Sequence, residues 1–250
     1  MSQLLDLLAA RSGLLCAVGA GGKKTTLYHL AAAHTGRVGL TCTVPNDHFP
    51  PSLDAQVVIA DTEHIVDAVV KAAANHRVVA FARPSQRTGR YAGLEPELVD
   101  GLRSVGVFDV LLVKADGARR RWVKAPNDHE PLIPPGTTAL VPIVSARAIG
   151  EPLSERIAHR LDQVEAVTGA RRGERLTSAH LANLLADSRG ALRNAGDATV
   201  VPLINMVDDD DRLTAAREAA RIALDLSDRF DRVVLTSSTR EDRLVDVIQR

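Results

Sequence analysis

With 250 residues, 45% of them hydrophobic, the chain has enough material to bury a full core of its own. Lys+Arg and Asp+Glu balance at 31 each, so no net field draws it to nucleic acid or to an anionic membrane, and any anion binding has to be local. Apolar runs stop short of the roughly 20 residues that span a bilayer, and Met1-Ser2-Gln3-Leu4-Leu5-Asp6 lacks the basic start of a signal peptide, so a cytoplasmic protein with no membrane partner is expected.

Leucines at helical spacing predict a short lead-in helix over 3–11, followed by a strand at 14–18, a glycine turn, and a helix over 25–33 ended by Gly36. A strand at 38–43 runs into a proline-rich loop, 44–54, expected near the glycine turn. A strand at 56–60 precedes an amphipathic helix over 62–75, with Thr62 as its cap and Ile65, Val66, Val69, Val70 and Ala73 on its inner face. The alternation continues with strands at 77–82, 108–113, 138–144, 199–204 and 232–236 and helices at 95–104, 153–167, 177–188 and 209–226. Cys16 and Cys42 each fall inside a predicted buried strand and read as free packed thiols.

The strands are short and rich in Val, Ile and Leu without strict alternation, as expected when both faces are covered. The pattern predicts an α/β fold, a mostly parallel sheet flanked by helices, in one domain over 1–250 with a long loop at 117–137 and a helical elaboration around 153–195. Ligands of such sheets bind beyond the carboxyl ends of the strands, so the residues just after each strand deserve the closest reading.

After the first strand come Gly19, Ala20, Gly21, Gly22, Lys23, Lys24, Thr25 and Thr26. Glycines let a backbone curl its N–H groups around a phosphate, the following helix start adds its dipole, a lysine adds a full charge, and a threonine hydroxyl can reach Mg²⁺. The usual G-x-x-x-x-G-K-[ST] loop is met in neither register. Aligning on Lys23 puts Ala17 at the first glycine and Lys24 at the hydroxyl; aligning on Lys24 puts Val18 and Lys23 at the glycines. The reading is a variant P-loop in which Thr25 meets the metal and either Lys23 or Lys24 meets the phosphates.

After the strand at 108–113, Lys114-Ala115-Asp116-Gly117-Ala118 delivers a carboxylate at Asp116, where a nucleotide-borne Mg²⁺ would take it directly or through a water. After the strand at 199–204, Asn205-Met206-Val207-Asp208 resembles the N-K-x-D motif with which many GTPases read guanine, and Asn205 and Asp208 are candidates to frame a base, with ATP and GTP both open. The polar segment 119–135 carries Arg119-Arg120-Arg121, Lys124 and Asp128-His129-Glu130. Arg119, Lys124, His129 and Glu130 are candidates for a second site, although three adjacent acidic and imidazole side chains cannot all converge on one ion.

The glycine loop, Gly93-Leu94-Glu95-Pro96-Glu97, Ala115-Asp116-Gly117-Ala118 with Lys124-Ala125-Pro126 and His129-Glu130-Pro131, and Asn205-x-Val207-Asp208-Asp209 together resemble the YqeC family of selenium-dependent hydroxylase accessory proteins. The resemblance runs from about Gly13 to about Asp209 and implies a P-loop NTPase-like three-layer sandwich linked to selenium cofactor biosynthesis. Three positions depart from the family pattern: Lys23-Lys24-Thr25 in place of one lysine before threonine, Lys114 in place of glutamate, and Met206 in place of lysine. The expectation is a Mg²⁺-dependent protein that binds ATP or GTP, with Lys23, Lys24 and Asp116 acting in any chemistry, serving as a slow NTPase or NTP-using maturation factor for molybdenum hydroxylases. Its partners would be a nucleotide and a hydroxylase or its cofactor intermediate. The alternative is a non-catalytic chaperone presenting a selenium- or molybdenum-containing cofactor to its target.

Overall fold

The computed structural model describes residues 3–240 and 242–250; Met1 and Ser2, part of the non-basic start noted above, lie outside the described residues. The fold is α/β, a large, mostly parallel sheet flanked by helices in a P-loop NTPase-like arrangement. The chain divides into two compact units, one holding the stretch up to Ala17 with Lys24–Gly117 and Leu132–Ala139, the other Val18–Lys23, Ala118–Pro131 and Leu140–Arg250.

The elements of the first half of the chain are α1 (Gln3–Leu7), β1 (Gly13–Gly19), α2 (Lys23–Ala33), β2 (Val38–Cys42), β3 (Asn46–Asp47), β4 (Gln56–Ile59), α3 (Ile65–Ala73), β5 (Val78–Ala82), β6 (Arg90–Tyr91), α4 (Pro96–Val105) and β7 (Val110–Lys114). Within the first unit the strands run in the order β1-β7-β2-β5-β4, all parallel. β2 and β5 are buried along their whole length, which is why they read as continuous apolar runs, while the edge strand β4 is largely exposed. The loop after β2 forms a two-residue ladder, β3 with β6, pairing Asn46 with Tyr91.

The second half holds β8 (Val123–Lys124), β9 (Ala139–Ser145), β10 (Ala158–His159), α5 (Leu161–Thr168), α6 (Ser178–Ala186), β11 (Thr199–Val200), β12 (Leu203–Asn205), α7 (Asp210–Leu226), β13 (Arg232–Thr236) and β14 (Leu244–Gln249). In the second unit β9, β12 and β13 are parallel neighbours, and β14 closes the edge antiparallel to β13. α7 buries Ala216, Ala219, Ala220, Ala223 and Leu224, a stripe at helical spacing that makes one face apolar.

Four local expectations are corrected. The helix expected over 153–167 begins only at Leu161, because Ala158–His159 instead pair with Val123–Lys124 in a small parallel ladder. That same ladder puts a strand inside the segment expected to be a plain loop. Thr62 does not cap α3; the helix starts after His64 without a side-chain cap, and the Thr62 hydroxyl accepts from Arg83 at 3.1 Å. The strand expected over 199–204 is broken at Pro202, which has no N–H to give to a ladder, into β11 and β12.

Candidate functional site

The glycine turn is built by contacts within the second unit. Ala20 N donates to the Ile143 carbonyl at 2.8 Å, tying the turn to β9. Gly21 and Gly22 have φ of +91° and +127°, a region side-chain-bearing residues rarely enter. A Cβ at Gly21 would lie 2.7 Å from Ser145 Cβ, and one at Gly22 would lie 2.2 Å from the Asn205 amide nitrogen. Among the described residues the Gly21 and Gly22 N–H groups make no hydrogen bond, and the first-turn N–H groups of α2 have no intrahelical acceptor by construction. Such a run of N–H donors without protein acceptors at a helix start is suited to phosphate oxygens.

The two lysines diverge. Lys23 is 5% exposed, and its Nζ turns back to donate to the Gly19 carbonyl within the turn. Lys24 belongs to the first unit, half-exposed, with its Nζ 2.6 Å from Asp47 Oδ2 on β3. The proline-rich loop after β2 therefore supplies a carboxylate to Lys24 in the first turn of α2, within the first unit. Thr25 is exposed on the first turn of the helix and Thr26 is buried.

Asp116 lies in the first unit and is 2% exposed. It emerges beside the end of β1: Ala17 is in register with Lys114, and Ala115 N donates to the Ala17 carbonyl at 3.1 Å. Within the first unit the parallel pairing of β1 with β7 thus sets this carboxylate one residue past the Ala17–Ala115 hydrogen bond. No group of three or more His, Cys, Asp or Glu suited to a metal occurs among the described residues. A nucleotide-borne Mg²⁺, which keeps most of its waters and takes one carboxylate or hydroxyl, does not need one.

Asn205 is 3% exposed and both ends of its amide are hydrogen-bonded. Its Nδ2 donates to the Gly21 carbonyl at 2.8 Å, and its Oδ1 accepts from the Thr236 hydroxyl at 3.0 Å, so it locks the glycine turn to the ends of β12 and β13. Asp208 is the more open group, with Oδ1 accepting from Ser237 at 2.7 Å and Oδ2 3.7 Å from Arg212 Nη1. Met206, in left-handed backbone at φ +62°, places its sulfur 3.1 Å from the Ser145 hydroxyl. Thr236 and Ser237 were missed by sequence reasoning; Thr236 is the last residue of its strand and Ser237 the first after it, so the strand-end signal that marked Asp116 could have found them.

The Asp128-His129-Glu130 run separates. Asp128 pairs with Arg193 at 3.0 Å, His129 is exposed, and Glu130 Oε2 accepts from both Lys124 and Arg160. The cysteines are buried, and burial pushes the Cys16 thiol up to about 12, opposed by its contact with the Thr137 hydroxyl, and the Cys42 thiol up to about 11, opposed by Lys114.

A buried first strand, a glycine turn and a helix, within a mostly parallel sheet flanked by helices, give the chain an α/β fold of P-loop NTPase-like arrangement. A model of the YqeC protein family matches residues 15–162, more than half of the chain. The chain is also similar to the uncharacterized protein YqeC of Escherichia coli (strain K12), 30% identical over 196 residues that cover 76% of this chain and 75% of that protein. The chain belongs to the YqeC family. Among the described residues no helix is long and apolar enough to cross a membrane.

Proposed function

We propose that this chain is a Mg²⁺-dependent nucleotide-binding protein, a slow NTPase or NTP-using maturation factor acting in the assembly of selenium-dependent molybdenum hydroxylases. The observation that carries the nucleotide reading is the pair of Gly21 and Gly22 N–H groups that make no hydrogen bond among the described residues, with Lys23 folded into the same turn. Lys23 is then the phosphate lysine, since Lys24 is held by Asp47. Thr25 and Asp116 are the residues to meet Mg²⁺, which would neutralise charge on the phosphates. Asp208 supports the guanine alternative over adenine, because a carboxylate steadied by Ser237 can accept from two adjacent base N–H groups that adenine does not offer. The link to hydroxylase maturation rests on family resemblance alone.

Titration of GTP and ATP with Mg²⁺ into the pure protein tests this reading. Lys23→Ala is expected to weaken binding by about tenfold or more, the worth of a charge-assisted hydrogen bond, with Lys24→Ala within about twofold of wild type. Absence of binding by either nucleotide removes the proposal. The chaperone alternative is favoured by one observation, the Lys124–Glu130–Arg160 cluster, none of whose residues belongs to the glycine turn. Co-purification with a hydroxylase subunit that survives Lys23→Ala would select it.

A further inference from the structure

The ladder of β8 with β10 assembles a second cationic centre that lies outside the glycine turn. His159 is in register with Lys124, and Arg160 follows at the start of α5. Lys124 has a side chain with 0% exposure and donates to Glu130 Oε2; Arg160 Nη1 reaches the same oxygen at 2.9 Å, so two cations share one carboxylate atom. Arg160 is only 20% exposed, and beyond that one bond its guanidinium has no other acceptor among the described residues. Arg119 is exposed and has no acidic partner among the described residues, yet stands close enough to act on His159.

Backbone conformation points the same way. Arg119, Arg120 and Arg160 have φ of +46°, +60° and +65°. Left-handed backbone is unfavourable for a side-chain-bearing residue, and Arg160 occupies an N-cap position where Ser, Thr, Asp or Asn would normally serve the helix. Its side chain makes no cap hydrogen bond and turns instead to Glu130. Strain of this kind clusters where side chains must be held in a set direction for a ligand. The imidazole of His159 is half-buried, and burial first, then Lys124, Arg160 and Arg119, with only Glu130 opposing, push it down to about 4. A neutral ring at neutral pH adds a hydrogen-bond donor and an acceptor without a further charge.

We propose that Arg119, Arg160 and the imidazole of His159 form a binding site for a tetrahedral oxyanion, a phosphate group or its chemical equivalent, separate from the glycine turn. The planar fork of Arg160 can take two oxygens, Arg119 closes from the solvent side, and His159 meets a third oxygen or its proton. The site stands apart from the nucleotide reading, because none of its residues belongs to the turn. Within the second unit it is connected to the turn by contacts: Gly21 abuts Ser145, Ser145 N donates to the Trp122 carbonyl at 3.1 Å, and Lys124 lies two residues along.

The test is a titration followed by NMR of the His159 imidazole and of the Gly21 and Gly22 amides, at fixed pH and ionic strength, with chloride as control. Inorganic phosphate and glycerol 3-phosphate are the two probes, and the tighter one tells a free oxyanion from the phosphate of an organic molecule. A saturable His159 shift with either probe, weakened about tenfold or more in Arg160→Gln and several-fold in the exposed variant Arg119→Gln, supports the site. Arg119→Gln keeps the test decisive should Arg160→Gln not fold. Shifts confined to Gly21 and Gly22, a His159 shift equal to that in chloride, or one unchanged in Arg119→Gln overturns it.

Discussion

The glycine turn at Gly19–Lys23 and the basic segment at Arg119–Glu130 both present positive charge, and they hold it by opposite means. In the turn the donors are backbone N–H groups, fixed by positive φ at Gly21 and Gly22 and by the Asn205 clamp on the Gly21 carbonyl. In the basic segment the donors are side chains, fixed by a two-residue ladder and by one shared carboxylate oxygen on Glu130. A backbone cradle tolerates no added atom, whereas a side-chain cluster tolerates substitution and responds to charge and pH. The comparison also separates neighbours in sequence, since Lys23 serves the turn while Lys24 is taken by Asp47.

The sharpest break in the comparison is Gly22→Ala. A Cβ there meets the Asn205 amide at 2.2 Å in a backbone region adverse to side chains, so a loss of about 2–4 kcal/mol is expected, with Asn205→Ala losing about 2–3 kcal/mol from two buried hydrogen bonds. Urea unfolding measures both, and a loss below about 1 kcal/mol for each would show that the turn is not held as described.

The basic segment should answer to pH instead. His159 sits in the folded protein at about 4, below its usual 6.5, so between those values the unfolded chain takes up the proton first. Its contribution to stability is fully present above about 6.5 and is lost as pH falls towards 4. His159→Gln, flanked by the same Lys124, Arg160, Arg119 and Glu130, should show a shallower fall of thermal midpoint across that window than wild type. Equal slopes would deny the imidazole any such role. The smallest effect is expected for Lys24→Ala, whose pair with Asp47 is about one-third exposed on each side and is worth about 0–1 kcal/mol to the fold. A larger loss by urea unfolding would return Lys24 to the structural centre of the site.

Much of the framework was readable because its signals are local. Strands covered on both faces are largely apolar, as in β2 and β5, and the helices expected over 177–188 and 209–226 are found as α6 and α7. What was misread depends on distant partners. Ala158 and His159 have helical neighbours and become a strand only because Val123 and Lys124 lie alongside. Thr62 looks like a cap and is claimed by Arg83, twenty-one residues away. β14, a half-exposed edge, carries too mixed a pattern to stand out before β13 pairs with it.

The sequence by itself determined that this is an α/β protein with a glycine turn after its first strand, that Asp116 and Asp208 follow strands, and that the chain resembles the YqeC family. Those features follow from hydrophobic period, glycine placement and residue order along a few consecutive positions. Tertiary structure alone decided which lysine lies in the turn, that Asn205 braces the backbone, and that Arg160 and His159 join Lys124 and Glu130. Each of those outcomes turns on a side chain meeting an atom brought to it by long-range strand pairing or loop packing, and pairing between distant segments leaves no local signature for a single sequence to show.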